Sequence, residues 1–83
     1  MTGTSTPDGV YTLLRTHLLA IRPDLAADSI RPGLSMRELG VNSLDRLDVV
    51  VAALTDLGVE VPSDELAAAA DLGHLAEIIH RHR

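Results

Sequence analysis

Leu39-Gly40-Val41-Asn42-Ser43-Leu44-Asp45-Arg46-Leu47-Asp48 reads as a turn that delivers a serine to the first position of a helix. Gly40 supplies backbone freedom where other residues would be strained. Asn42 suits an N-cap, because its side-chain oxygen can accept a backbone N–H from the first turn. Asp45, three residues on, adds negative charge where the helix dipole favours it. Ser43 then stands beside N–H groups that no residue of its own helix can satisfy. An anion esterified to its hydroxyl would meet a ready-made phosphate site.

Working outward, the helix that follows should run from Ser43 to about Leu57 and end at Gly58. It carries two apolar stripes, and a simple surface helix needs one. Val50, Ala53, Leu54 and Leu57 form the first and can face a core, with Val49 bordering them. Leu44, Leu47 and Val51 form the second, interleaved with Asp45 and Asp48. Two readings follow. Either the helix is buried widely, with Leu44 and Leu47 under a loop, or the second stripe is an exposed apolar strip rimmed by acids. Apolar anchors with oriented charges suit transient docking.

Upstream, Pro7-Asp8 reads as a helix start with Asp8 as N-cap. Val10, Leu13, Leu14, Leu18 and Ile21 recur at helical spacing, Arg15 and Arg22 face water, and Pro23 ends the helix. His17 reads as a boundary histidine with no partner near in sequence. A long connection from Pro23 to Val41 turns at Pro32-Gly33. Leu25, Ile30, Leu34 and Leu39 can pin it to the helices, and Ser35-Met36-Arg37-Glu38 has capping-box spacing. Downstream, Val59–Pro62 is extended, Ser63 or Asp64 can cap a short helix to about Ala69, and Asp71 caps a last helix from Leu72 to about His82. Leu72, Leu75, Ile78 and Ile79 are its core stripe. His74 and His80 are spaced too awkwardly to share a helix face, so no metal site is expected. The expected fold is all-α: a small four-helix bundle, three main helices plus one short one, with a long loop between helices 1 and 2. Residues 1–7 are expected to be a disordered leader and 8–83 the domain.

Composition narrows the function. Eighty-three residues make one small domain, and its core is aliphatic: 14 Leu, 7 Val, 4 Ile and 10 Ala, with Tyr11 the only aromatic side chain. With no cysteine there is no disulfide, thiolate site or cysteine nucleophile. From Leu44 to Glu77 eight acids face one base, Arg46, an excess larger than the net charge of −5 for the whole chain. Nucleic acid is therefore not an expected partner, nor a membrane, and a basic protein surface is a better match. Ser43 lacks the Gly-x-Ser-x-Gly setting of a hydrolase nucleophile, and no catalytic constellation is visible. The absence of an apolar leader makes the cytoplasm the default location.

Leu39-Gly40-Val41-Asn42-Ser43-Leu44 resembles the phosphopantetheine attachment motif of acyl carrier proteins, usually Leu-Gly-hydrophobic-Asp-Ser-Leu, and the spacing of elements resembles that family over roughly residues 9–82. The departure is Asn42 in place of the motif's aspartate; it caps equally well but lacks the charge. The resemblance implies a non-catalytic carrier. A phosphopantetheinyl transferase would attach 4′-phosphopantetheine to Ser43, beside Asn42, and acyl-loading and biosynthetic enzymes would dock on the second helix at Leu44, Asp45, Leu47, Asp48 and Val51. The family's use of that helix favours the docking reading of its second stripe. Val41-Asn42-Ser43-Leu44 looks more like acyl than peptidyl (aminoacyl) carriers, in which Gly-Gly more often precedes the residue before serine. Abundant Arg and Ala without Lys suggest a high-GC bacterial source and specialised metabolism, such as polyketide biosynthesis. A free-standing monomer is expected, since the chain starts with Met and ends at the bundle. The rival from another class is a helical interaction module whose Ser43 is never modified.

Overall fold

In the computed structural model, residues 7–83 are described, and they fold as four α-helices: α1 (Pro7–Ile21), α2 (Ser43–Leu57), α3 (Ser63–Ala67) and α4 (Leu72–Arg81). A 3-10 turn at Ala27–Ser29 lies in the long α1–α2 connection. The expected all-α bundle of three main helices and one short one is what the chain forms. The expected disorder of residues 1–7 falls outside the described residues, apart from Pro7, which is helical. Because α1 starts at Pro7, Asp8 lies in its first turn and is not the N-cap; its charge still meets the helix dipole favourably.

α1 packs against both α2 and α4. Val10, Leu14 and Leu18 are wholly buried at the centre, with Leu13 and Ile21 at the border. Each such leucine contributes about 1.5–3 kcal/mol by leaving water. From α2 come Val49, Val50 and Ala53, and from α4 Leu72, Leu75, Ala76, Ile78 and Ile79, all buried. Val49 thus belongs to the core proper and not to its border.

The long connection is tied down along its length. Ile30, Met36 and Val41 are buried, whereas Leu25, Leu34 and Leu39 are half-buried. Tyr11 donates its hydroxyl to Ile30 O (3.2 Å), and Arg15, expected in water, reaches back to Ala27 O (3.3 Å). The capping box forms reciprocally: Ser35 N donates to Glu38 Oε1 (2.9 Å) and Glu38 N to Ser35 Oγ (3.1 Å). It opens a single helical turn that Gly40 closes with φ +83°. Val41 N to Met36 O (3.0 Å) and Gly40 N to Arg37 O (3.0 Å) make this a Schellman closure. Gly58 (φ +67°) ends α2 in the same way.

Two histidines find distant partners. His17 Nε2 lies 2.7 Å from Asp56 Oδ2, bracing α1 against α2, so the boundary histidine has a partner 39 residues away. His82 Nε2 lies 2.8 Å from Glu65 Oε1, tying the end of α4 to α3. α3 itself is five residues long and has Pro62 at its N-cap, with Ser63 and Asp64 inside the helix. Its expected side-chain cap is therefore absent, and the chain leaves the helix at Ala68 rather than Ala69.

Candidate functional site: the open end of α2

The Schellman turn at Gly40 aims the chain so that Asn42, in extended conformation, becomes the N-cap of α2. Asn42 Oδ1 accepts from Asp45 N (2.8 Å), and Asn42 Nδ2 donates to Asp45 Oδ2 (3.3 Å). The second bond is one that asparagine can make and a charged aspartate cannot, so Asn42 and Asp45 form a self-contained pair. The carboxylate of Asp45 is half-buried and partly committed to this pair, which leaves Asp48 as the free acid of the helix's first two turns.

Ser43 follows the cap and is exposed. Among the described residues nothing accepts from Ser43 N or Leu44 N, so two N–H groups at the positive end of α2 remain open around the hydroxyl. The expected strip is also exposed: Leu44 by 75%, Leu47 by 58% and Val51 by 50%. They are the exposed large hydrophobic residues of the described chain, and the 3–4 spacing sets them side by side. Wide burial of α2 under the long loop is thereby ruled out for this stripe.

Two residues with no assigned role complete the site. Arg22 was read as facing water, yet Nη1 donates to Gly40 O (3.1 Å), and Nε and Nη2 grip both oxygens of Asp24 (2.9 and 2.8 Å). The hydrogen bond from Arg22 holds the Asp24 carboxyl below its usual range, and the same pairing raises Arg22. Arg22 thus fastens the end of α1 to the turn that feeds Ser43. Arg46 donates from Nη2 to Ser43 Oγ (3.2 Å). The signal for Arg46 was present in the sequence: it lies three residues after Ser43, on the same helical face, as the lone base of an acidic segment.

Beside Ser43 opens a cleft of about 310 Å³ between α2, the loop and the α3–α4 end, lined by Met36, Arg46, Val50, Leu66, Leu72 and Leu75 among others. Its wall is mostly aliphatic, and Ser43 and Arg46, with Ser35, Arg37 and Asp71, supply its polar part. The residues fit a phosphopantetheine: an accessible hydroxyl to esterify, unpaired N–H groups and a guanidinium for a phosphodiester, and an apolar surface alongside. Among the described residues no three His, Asp or Glu side chains gather as a metal-binding set, and no helix is long and apolar enough to cross a membrane.

Comparison with known proteins bears on the same stretch. A family model described as "Phosphopantetheine attachment site" matches residues 18–79. A Bacillus subtilis (strain 168) protein described as "Polyketide biosynthesis acyl-carrier-protein AcpK" is 30% identical over 71 residues, which span 86% of this chain and 87% of that protein. No solved structure gives a significant match.

Proposed function

The chain belongs to the phosphopantetheine-binding acyl carrier family, and from that premise we propose that Ser43 Oγ is where it holds its prosthetic arm. Members of the family are carriers and not catalysts. They bear a covalent 4′-phosphopantetheine, and they are served by phosphopantetheinyl transferases and biosynthetic enzymes. The group supplies a thiol on which acyl cargo travels as a thioester; this chain has no cysteine of its own. The observation that carries the assignment is an exposed hydroxyl at a helix end whose first two N–H groups have no acceptor among the described residues. Asn42 and Gly40 orient that end, and Arg22 holds the turn behind it.

The test is intact mass after incubation with coenzyme A and a permissive transferase. The wild-type chain gains one phosphopantetheine, and Ser43→Ala gains none. A Ser43→Ala chain that still takes the arm would put the attachment elsewhere. A wild-type chain that never takes it would favour the unmodified interaction module.

The exposed strip of Leu44, Leu47 and Val51, with Asp48 and the partly committed Asp45 beside it, is the proposed docking surface. Apolar contact supplies affinity and the acids orient a basic partner face. Asp48→Arg should slow turnover by a cognate partner enzyme while leaving the melting temperature within a degree or two, since Asp48 makes no hydrogen bond or ion pair among the described residues. Unchanged turnover would remove α2 from the interface. The likeness to a polyketide carrier supports polyketide intermediates as the cargo. Partner enzymes that load aminoacyl but not acyl groups would point to the peptidyl alternative. A cytoplasmic monomer goes with this reading.

A further inference from the structure

We propose that Arg46 is the positioning residue for the phosphodiester of the arm, an inference that rests on the assignment of Ser43 as the attachment point. In the planar guanidinium, Nε–H and one N–H of Nη2 leave the same edge, a fork that matches two oxygens of one phosphate. Nη2 already donates to Ser43 Oγ at 3.2 Å. Nε, its neighbour on that edge, is buried and has no hydrogen-bond partner among the described residues. A buried N–H without an acceptor is a rare condition that calls for a reason. Here the reason is an acceptor that arrives with the modification. Once Ser43 Oγ is an ester oxygen it becomes a poorer acceptor, and the negative charge resides on the two non-bridging oxygens bonded to the same phosphorus. Those oxygens lie two bonds from the atom that Arg46 already touches.

The surrounding charges leave Arg46 available for this. It forms no ion pair among the described residues. Asp45, the acid next to it in the chain, is engaged by Asn42. Of the other cations near the site, Arg22 is committed to Asp24 and to Gly40 O, and Arg37 lines the same cleft but, among the described residues, makes no hydrogen bond to Ser43. Arg46 is half-buried and lines the cleft beside Ser43, to whose hydroxyl it donates. The contact fixes the base of the arm at the mouth of that cleft and leaves the far end free to move.

The experiment compares wild type, Arg46→Ala and Arg46→Lys, each converted with coenzyme A and a transferase and checked by intact mass. Two readouts follow: the ³¹P resonance of the phosphodiester, and hydrogen exchange at the Arg46 Nε–H before and after modification. In wild type the Nε–H exchange should slow about tenfold on modification, equivalent to about 1.4 kcal/mol of protection. The ³¹P line should stand apart from that of an unfolded phosphopantetheinyl-serine peptide. In Arg46→Ala it should sharpen and move to the peptide position, and Arg46→Lys, with charge but no fork, should recover only part of the difference. Unchanged Nε–H exchange with one shared ³¹P position in all three modified chains would overturn the proposal while leaving Ser43 in place. A lysine variant indistinguishable from wild type would overturn the two-donor fork. A wild-type chain that gains no mass sinks this inference and the Ser43 assignment together.

Discussion

α2 and α4 begin alike and are used differently. Each has an Asn or Asp N-cap that accepts from the third residue of the helix: Asn42 from Asp45 N at 2.8 Å, and Asp71 from His74 N at 2.7 Å. At α4 the remaining N–H groups are consumed by the long loop, Leu72 N donating to Leu34 O (3.0 Å) and Gly73 N to Pro32 O (2.9 Å). The seal is close: a Cβ on Gly73 would lie 3.2 Å from both Pro32 Cβ and Pro32 O. Leu72, the first residue of α4, is 1% exposed. At α2 the equivalent N–H groups of Ser43 and Leu44 meet no acceptor among the described residues, and Leu44 is 75% exposed. A capped helix end is therefore not in itself a site. The two ends differ in that, among the described residues, α2 leaves its first donors unspent, whereas at α4 the middle of the long loop takes them up.

The largest effect that separates the two ends is on stability. Leu72→Ala should cost about 2–5 kcal/mol, because it empties a fully buried position in the core. Ser43→Ala should stay within about 0.5 kcal/mol of wild type, since the hydroxyl is exposed and its one contact is to Arg46. Urea denaturation of the two variants side by side checks this. If Ser43→Ala were as costly as Leu72→Ala, the open end would be a structural joint and the contrast would fail.

Much of this contrast was legible in the chain. Gly40 and Gly58 announce the two left-handed turns, Asn42 and Asp71 announce the caps, and the periodic leucines and valines sort the faces of α2, down to a surplus stripe that proves exposed. These are local signals, carried within one or two helical turns. The pairings that cross the chain were not legible. Arg22 to Gly40 spans 18 residues and His17 to Asp56 spans 39, and each looks like an ordinary solvated side chain until the fold brings its partner close. The loop carbonyls that seal α4 belong to the same class: Pro32-Gly33 signals a turn but not which helix end it will meet. Met36, only 7% exposed, reads in sequence as one residue of a capping box and in three dimensions as a core contact of the loop. Arg46 is an intermediate case, with local spacing to Ser43 but no periodic pattern to make it stand out.

A smaller effect concerns the cap of α2. Asn42→Ala removes the acceptor for Asp45 N and the donor to its carboxylate, at a cost of about 1 kcal/mol. The loss should be concentrated at the open end: amide exchange should quicken over residues 43–46 and remain unchanged over residues 72–75, where Asp71 provides a separate cap. A uniform increase across both helices would mean that the two ends unfold as one unit and are not independently held.

The smallest effect tests what holds the turn behind Ser43. The hydrogen bonds from Arg22 keep the Asp24 carboxyl below its ordinary value of 3.8, so the folded state binds that proton less readily than the unfolded chain does. The stability this contributes is complete at pH values above 3.8 and is lost as the pH falls through the lowered folded value. Asp24 is exposed and Arg22 only half-buried, and the expected change in unfolding free energy is accordingly slight. The local consequence is easier to read. Asp24→Asn at neutral pH removes one side of the grip on Arg22 without protonating Asp45 or any other acid. Arg22 then has less to hold it against Gly40 O, so the backbone amide resonances of residues 40–43 should shift while those of Leu72 and Gly73 stay in place. Shifts of equal size at both helix ends would show that Arg22 braces the whole loop rather than the turn that presents the serine.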